Sequence, residues 1–415
     1  LLAPLLAPPP LAPPPLAPPP LAPPPLAPPL LLGPQHQWPL SPPRLSLLSL
    51  ADVAIVGQLE TAGLQGGVAL ASQIFTFTFW TLGFLRLSTG GYTAQAFGEQ
   101  NEQRLFAVLW RGLIIAGVGG ALLWVLAPLF WFGLNSAMGW QTDLQPSVET
   151  YLGIRIWAAP AVLFSYVCFG WLVGQQRTGL VLLLQAFINL TNIAVSAWLV
   201  LVLDMGVAGV ALGSVIASYA GVALGGLILL RLGIIGRAGR SGLDGIWQRA
   251  DWLKLFSTNV NFFLRSLAFA AAFLVLFKAA DWLDQRGGLD GVNADTLAVL
   301  WQMFGLIVYG MDAFAVAAEA FSGEAVGAGR RDRLLRSTRL VIFWSLVSSV
   351  IAALIFATAG SWALAYITKL PDVLALSREL MPYVYFSGFY MTAAFMLDGI
   401  FLGATRAGDM RDCHS

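Results

Sequence analysis

The sequence predicts an all-α polytopic membrane protein built from two pseudo-symmetric helical bundles, with about ten transmembrane helices. Three observations predict it. Apolar types make up 57% of the 415 residues, whereas Asp, Glu, Lys and Arg supply only 11%. An ordinary soluble domain is about 25% charged, so lipid must solvate much of this surface. Apolar stretches long enough to cross a bilayer recur along the chain, and glycines and arginines at their ends return at a constant offset of 229 positions.

Residues 1–44 stand apart. LAPPP recurs every five residues through Leu11–Pro25, and 19 of the 24 prolines precede Leu45. Proline removes an amide donor and clashes with the preceding turn, so the tract cannot be a spanning helix. The expectation is a disordered, low-complexity tail without function. Apolar stretches then run over 45–60, 67–97, 105–133, 151–174, 179–203, 206–232, 253–283, 294–327, 335–366 and 377–404. Most exceed the roughly 20 residues that a spanning helix needs. The first is short, because Pro42 and Pro43 leave about 15 residues between Leu45 and Leu59.

Orientation follows from the basic residues in alternate connections. Of 23 Lys and Arg, fifteen collect on one side, among them Arg104, Arg177, Arg249, Arg331 and Arg406. Only Lys278, Arg286, Lys369 and Arg378 fall on the other, which is therefore the outer side. The repeat places Asp52 on Asp281, Gln73 on Gln302, Phe75 on Phe304, Gly98 on Gly327 and Arg104 on Arg333. Without a gap it continues to Gly170 on Gly399, Gly174 on Gly403 and Arg177 on Arg406. Halves repeated in this way form transporters that rock one half against the other. The expected bundles are residues 45–240 and 241–415. The second half stops at the equivalent of Ala186, so two helices of a twelve-helix protein are expected to be missing.

Composition excludes other classes. The balance of 23 basic and 22 acidic residues leaves no nucleic-acid footprint. Cys168 and Cys413 cannot make a disulfide framework or a zinc site, and the only histidines are His36 and His414 near the ends. No GxxxxGK[ST] loop is present to use ATP.

LADVAIVGQL at 50–59, LGFLRLSTGGYTAQAFGE at 82–99, APAVLFSYVCFGWLVGQQR at 159–177, MDAFAVAAEAFSGEAVG at 311–327 and LDGIFLGATRAGDMR at 397–411 carry a resemblance. Over residues 45–412 the chain resembles the multidrug and toxic compound extrusion (MATE) family, in its DNA-damage-inducible protein F (DinF) branch. The resemblance implies two six-helix bundles facing a central cavity and export of organic cations and other amphipathic compounds in exchange for protons or sodium ions. It implies small-molecule and lipid partners, a monomer, and a multi-pass protein of the inner (plasma) membrane. No cofactor beyond the coupling ion, H+ or Na+, is expected.

Carboxylates in mid-membrane cost roughly 2.5–3.5 kcal/mol, which makes each informative. Asp52 matches the family's first-helix aspartate, which in several members takes part in cation coupling. The plainer reading is a helix-end acid near the outer interface, like Asp281. Asn189 and Asn192 are further coupling candidates, with Asn192 placed to hydrogen-bond Asp52. The family often has an aspartate four residues beyond an asparagine there, yet Ser196 occupies that place and cannot titrate. Interhelical polar contact, about 0.6 kcal/mol per bond, is the alternative role for both asparagines.

Asp312 and Glu319 are seven apart and share a helix face. With Arg265 and Asp398 they are candidates for the substrate cavity of the second bundle, and Arg265 is also a candidate partner for Asp312 or Glu319, because an intramembrane Arg is usually paired. A purely structural pair of Arg265 with Glu319 is the competing reading. Arg86 is expected to snorkel or to cap carbonyls.

Efflux by cation-coupled antiport with alternating access is thus the leading expectation. Flipping of a lipid-linked precursor or polysaccharide is second, an intramembrane hydrolase a distant third, and an inactive truncated copy the remaining possibility. The hydrolase lacks a GxGD setting and any histidine within the bilayer.

Overall fold

A computed structural model describes residues 64–138, 145–287, 291–368 and 370–405 of the chain. Asp52 and the proline tract lie outside them. Among the described residues the regular structure is helical throughout, as the apolar stretches require.

In the first bundle α1 (Leu64–Thr81) and α2 (Phe84–Gly98) make one bent crossing, interrupted at residues 82–83. The long helix α3 (Glu102–Met138) returns outward. Helix α4 (Gln145–Arg155), a 3-10 turn (Ile156–Ala158) and α5 (Ala159–Gly174) together make the next crossing, followed by α6 (Thr178–Leu201) and α7 (Gly206–Arg231). The second bundle contains α9 (Arg249–Gly287), α10 (Val292–Gly327), α11 (Arg331–Ile367) and α12 (Pro371–Gly403). Seven segments among the described residues are long and apolar enough to cross a membrane. The bent α1–α2 crossing and the more polar α9 complete the nine later stretches that the sequence predicts.

One connector was not foreseen. Helix α8 (Arg237–Asp244) lies between the bundles on the basic side and packs against α3. Arg111, 4% exposed, ties it down by donating to the carbonyls of Gly245 and Ile246 and pairing with Asp251 at 2.7 Å. At only eight residues and studded with Arg and Gly, α8 carries no apolar run that a sequence scan would notice.

The outward surface is oily. Leu182, Leu183, Phe187, Leu190 and Trp198 stand exposed along α6, while its other face buries Leu184, Ile188 and Asn192. A helix that is apolar outside and holds its polar groups inside is inverted relative to a soluble protein, as a lipid solvent demands.

Candidate functional site

Three places in the molecule bring polar chemistry into the bilayer. The first is the seam between bundles, where α2 packs on its repeat mate α10. A Cβ on Gly98 would collide with the carbonyl of Glu324, and one on Gly327 with that of Gln95. Adding 229 to 98 and 95 gives 327 and 324, so the two collisions are the same contact seen from each side. Ala94 and Gly323, also 229 apart, face each other. Reciprocal contact of this kind is the signature of a two-fold axis.

Polar links accompany the seam. Gln95 donates to Gly403 O and to Thr405 Oγ1, each at 3.0 Å, and Gln176 donates to Glu324 at 2.6 Å. Tyr92 and Thr258 share a hydrogen bond of 2.7 Å. Deeper in, Arg86 Nη1 lies 3.8 Å from Glu319 Oε2, with Arg86 7% and Glu319 1% exposed. A Cβ on Gly90 would strike Glu319 Oε1. Position 90 is the repeat mate of 319, so a glycine in one half makes room for a carboxylate in the other. All of these links lie toward the basic, cytoplasmic end of the helices.

This geometry corrects the expected pairing. Arg265 is not the partner of Glu319; it forms an ion pair with Asp398 inside the second bundle, and Glu319 faces Arg86 across the seam. Arg86 neither snorkels nor serves as a carbonyl cap alone. The rule that an intramembrane Arg is usually paired applied to Arg86 as much as to Arg265. Which carboxylate each meets depends on helix rotation and bundle docking, neither of which is written in linear spacing. Glu319, Asp398 and Arg265 all stand toward the cytoplasmic half, whereas Asp312 is half-buried a full two turns further out.

The second place is inside the first bundle. Asn192, fully buried, donates to Ser214 Oγ at 2.7 Å and lies 3.4 Å from Ser196 Oγ. Gly213 lets α7 approach, since a Cβ there would collide with Ser196. Asn192 Oδ1 accepts no hydrogen bond among the described residues. An unsatisfied buried carbonyl costs about 1–3 kcal/mol and is an acceptor held ready for a proton donor or a cation. Asn189 is not part of this cluster; half-buried, it accepts from Gln185 one turn back on α6 at 3.0 Å.

The third is at Arg155, which the sequence places near a helix interior without giving it a site role. Arg155 closes α4 at 2% exposure, its guanidinium 4.2 Å above the ring of Phe75. Its Nε and Nη1 have no hydrogen-bond partner among the described residues. A cation in the bilayer costs roughly 2.5–3.5 kcal/mol, and a desolvated aromatic face returns about 2. Its charge is thus left about 1 kcal/mol short. Pro160, five residues on, was the available signal: it lacks the amide that would bond Ile156 O in an α-helix, so that carbonyl accepts from Ala159 N–H in the 3-10 turn and also from Trp124 Nε1, at 3.2 Å. The residues around this break border a cavity of about 180 Å³ lined by Phe75, Phe79, Trp131, Leu152, Gly153 and Ile156, among others.

Comparison with known proteins places the chain. The MatE family model matches residues 45–199 and 287–409. DNA damage-inducible protein F of Escherichia coli is 35% identical over 369 residues, which cover 88% of this chain and 78% of that protein. Multidrug and toxin extrusion protein 1 of Danio rerio is 26% identical, over 86% of this chain and 59% of its own length. The chain thus spans little more than half of that animal relative. The eukaryotic MATE transporter AtDTX14 superposes with a TM-score of 0.74 at 15% identity, covering 88% of this chain and 80% of that one. An outward-facing multidrug resistance MATE transporter gives 0.75 at 16%, with the same coverage of both chains. At such identities the likeness is one of fold.

Proposed function

Because the chain belongs to the MatE family, and so is a multi-pass transporter of the inner membrane and not an enzyme, we propose that it exports small amphipathic or cationic compounds by cation-coupled antiport with alternating access. The observation that carries this reading is the one-sided seam. The bundles meet through α2 and α10 near their cytoplasmic ends, about a symmetry axis that gives each half the same pivot. Rocking of one bundle against the other would part Arg86 from Glu319 and open this seam on the cytoplasmic side.

Coupling is assigned to the first bundle. Asn192 Oδ1 is the open acceptor there among the described residues, and Asp52, which lies outside them, is the carboxylate that would carry the charge. Desolvation raises the pKa of a buried carboxyl, so such a group takes a proton on one side and releases it when water re-enters. With Ser196 in place of a second acid, a single carboxylate exchanging one proton or sodium ion is the simplest arrangement. Glu319, Asp398 and Arg265 are reassigned from substrate contact to holding the cytoplasmic half closed.

Protein reconstituted into liposomes, with an imposed proton or sodium gradient of either sign, tests this. Gradient-dependent counterflow of tetraphenylphosphonium or ethidium is expected. No ion-dependent counterflow across a panel of organic cations would remove the proposal while leaving the fold untouched.

A further inference from the structure

The connector between the bundles carries a surface that export does not use. Residues 231–249 join α7 to α9 on the basic side and hold Arg231, Arg237, Arg240 and Arg249 against one acid, Asp244. One side of α8 is given over to packing. Gly242, Gly245 and Ile246 are buried, and a Cβ on Gly242 would meet Phe106 of α3 at 2.6 Å. Arg111 holds the carbonyls of Gly245 and Ile246, so this underside belongs to the first bundle.

The other side is charged and oily at once. Arg240, Leu243 and Asp244, three and four residues apart, share a helix face and are all exposed. Arg231 and Arg249 are exposed at the two flanks, and among the described residues none of the three arginines forms an ion pair. Beside them Ile235 is 60%, Leu243 42% and Trp247 77% exposed. Trp247 stacks on Trp252 at 6.4 Å, and Trp252 Nε1 donates to Ile246 O at 2.7 Å, so the ring is braced where it stands.

A tryptophan held open to water gains nothing from being braced. In the headgroup layer it would gain, because Trp favours the membrane–water interface, and helices lying there combine arginine with Trp and Leu. The connector reaches that layer by construction, since it hangs between the ends of two crossings, α7 and α9. Four arginines immediately beside a spanning helix attract anionic lipid.

We infer that α8 and its flanks form a docking surface for anionic phospholipid, in which Arg231, Arg240 and Arg249 hold phosphates while Leu243 and Trp247 enter the headgroup layer. Tied to α3 through Arg111, the docked connector anchors the first bundle to the leaflet on the basic side.

Nitroxide accessibility in nanodiscs decides it, using the full chain with Cys168 and Cys413 replaced and one label at Gln248→Cys, an exposed position beside Trp247. Discs of phosphatidylcholine are compared with discs of equal parts phosphatidylcholine and phosphatidylglycerol. Oxygen collects in lipid and a neutral nickel chelate in water, so the ratio of their collision rates reports depth. That ratio should rise by roughly fivefold in the anionic discs. R231Q/R240Q/R249Q should erase the rise, whereas R331Q/R336Q/R339Q, which removes three exposed arginines of α11, should keep it. Trp247→Ser should lower the ratio in both kinds of disc. A wild-type ratio indifferent to phosphatidylglycerol overturns the inference whether or not any variant folds. So does a rise that survives R231Q/R240Q/R249Q or is lost equally in the α11 variant, either of which would mark general surface charge. No gradient or substrate enters these readouts, so export stands or falls separately.

Discussion

Arg155 over Phe75 in the first bundle has its counterpart, 229 positions on, in Val384 beside Phe304 in the second. The first pair is a buried charge at a broken helix. The second is part of an apolar cluster with Met303, Ile307 and Met381, on helices that do not break. Where backbones approach closely the two halves agree: Gly98 on Glu324 mirrors Gly327 on Gln95 across the seam, and Gly174 on Thr93 in the first bundle mirrors Gly403 on Ser322 in the second. Duplication has thus preserved the backbone approach that sets the pivot and let the charges diverge.

The largest expected effect lies where the symmetric seam carries an asymmetric charge pair. Arg86→Ala or Glu319→Ala removes one member of a buried ion pair, and should cost about 3–5 kcal/mol of stability or of seam closure. The double variant R86M/E319M should recover most of that loss, read by thermal unfolding in detergent. If the double variant is as damaged as the sum of the singles, the two side chains do not act on each other.

Next come the glycines of the pivot. Gly98→Val and Gly327→Val each force a side chain onto a backbone carbonyl and should cost about 1–3 kcal/mol. Because the contacts are equivalent, the two effects should be alike. A large loss at one and none at the other would break the symmetry.

A smaller change should have the opposite sign. Arg155→Met removes a charge that the protein leaves under-compensated, and should raise stability by about 1 kcal/mol. A fall in melting temperature would assign Arg155 a structural role instead. Val384→Met, at the apolar counterpart, should change stability by less than about 1.5 kcal/mol.

The smallest effect concerns the outer edge of the second bundle. Burial alone would raise the pKa of Asp284, yet the amides of Asn293 and Ala294 and the Asn293 side chain outweigh it and hold the carboxyl below its usual range. Its stabilising contribution is therefore full above the unfolded value near pH 4 and lost as the pH falls through the lowered one. Asp284→Ala should lower the melting temperature at pH 7, and the gap from wild type should close in acid.

What was legible in the sequence was whatever repeats. Hydropathy marked the nine crossings of the described residues because each must be apolar over its whole length, and the 229-residue offset foretold the glycine contacts because close approach admits few other residues. Charge partners were not legible. Glu319 and Asp398 each had several arginines at a plausible depth, and the choice of Arg86 for one and Arg265 for the other follows from which helix faces the seam. Arg155 is placed near a helix interior by the sequence, like Arg86 and Arg265, but linear spacing gives it no neighbour until its packing over Phe75 is seen.

Spin-label distances across the seam test the central claim most directly. Labels at Gln100→Cys and Arg330→Cys, on the cytoplasmic ends of α2 and α10, would be placed in full-length protein in nanodiscs with Cys168 and Cys413 replaced. One short distance is expected at rest, joined by a second, longer population when Glu319→Gln unlatches the seam or substrate is added. A single unchanged distance under all of these conditions would contradict a cytoplasmic seam that opens between α2 and α10.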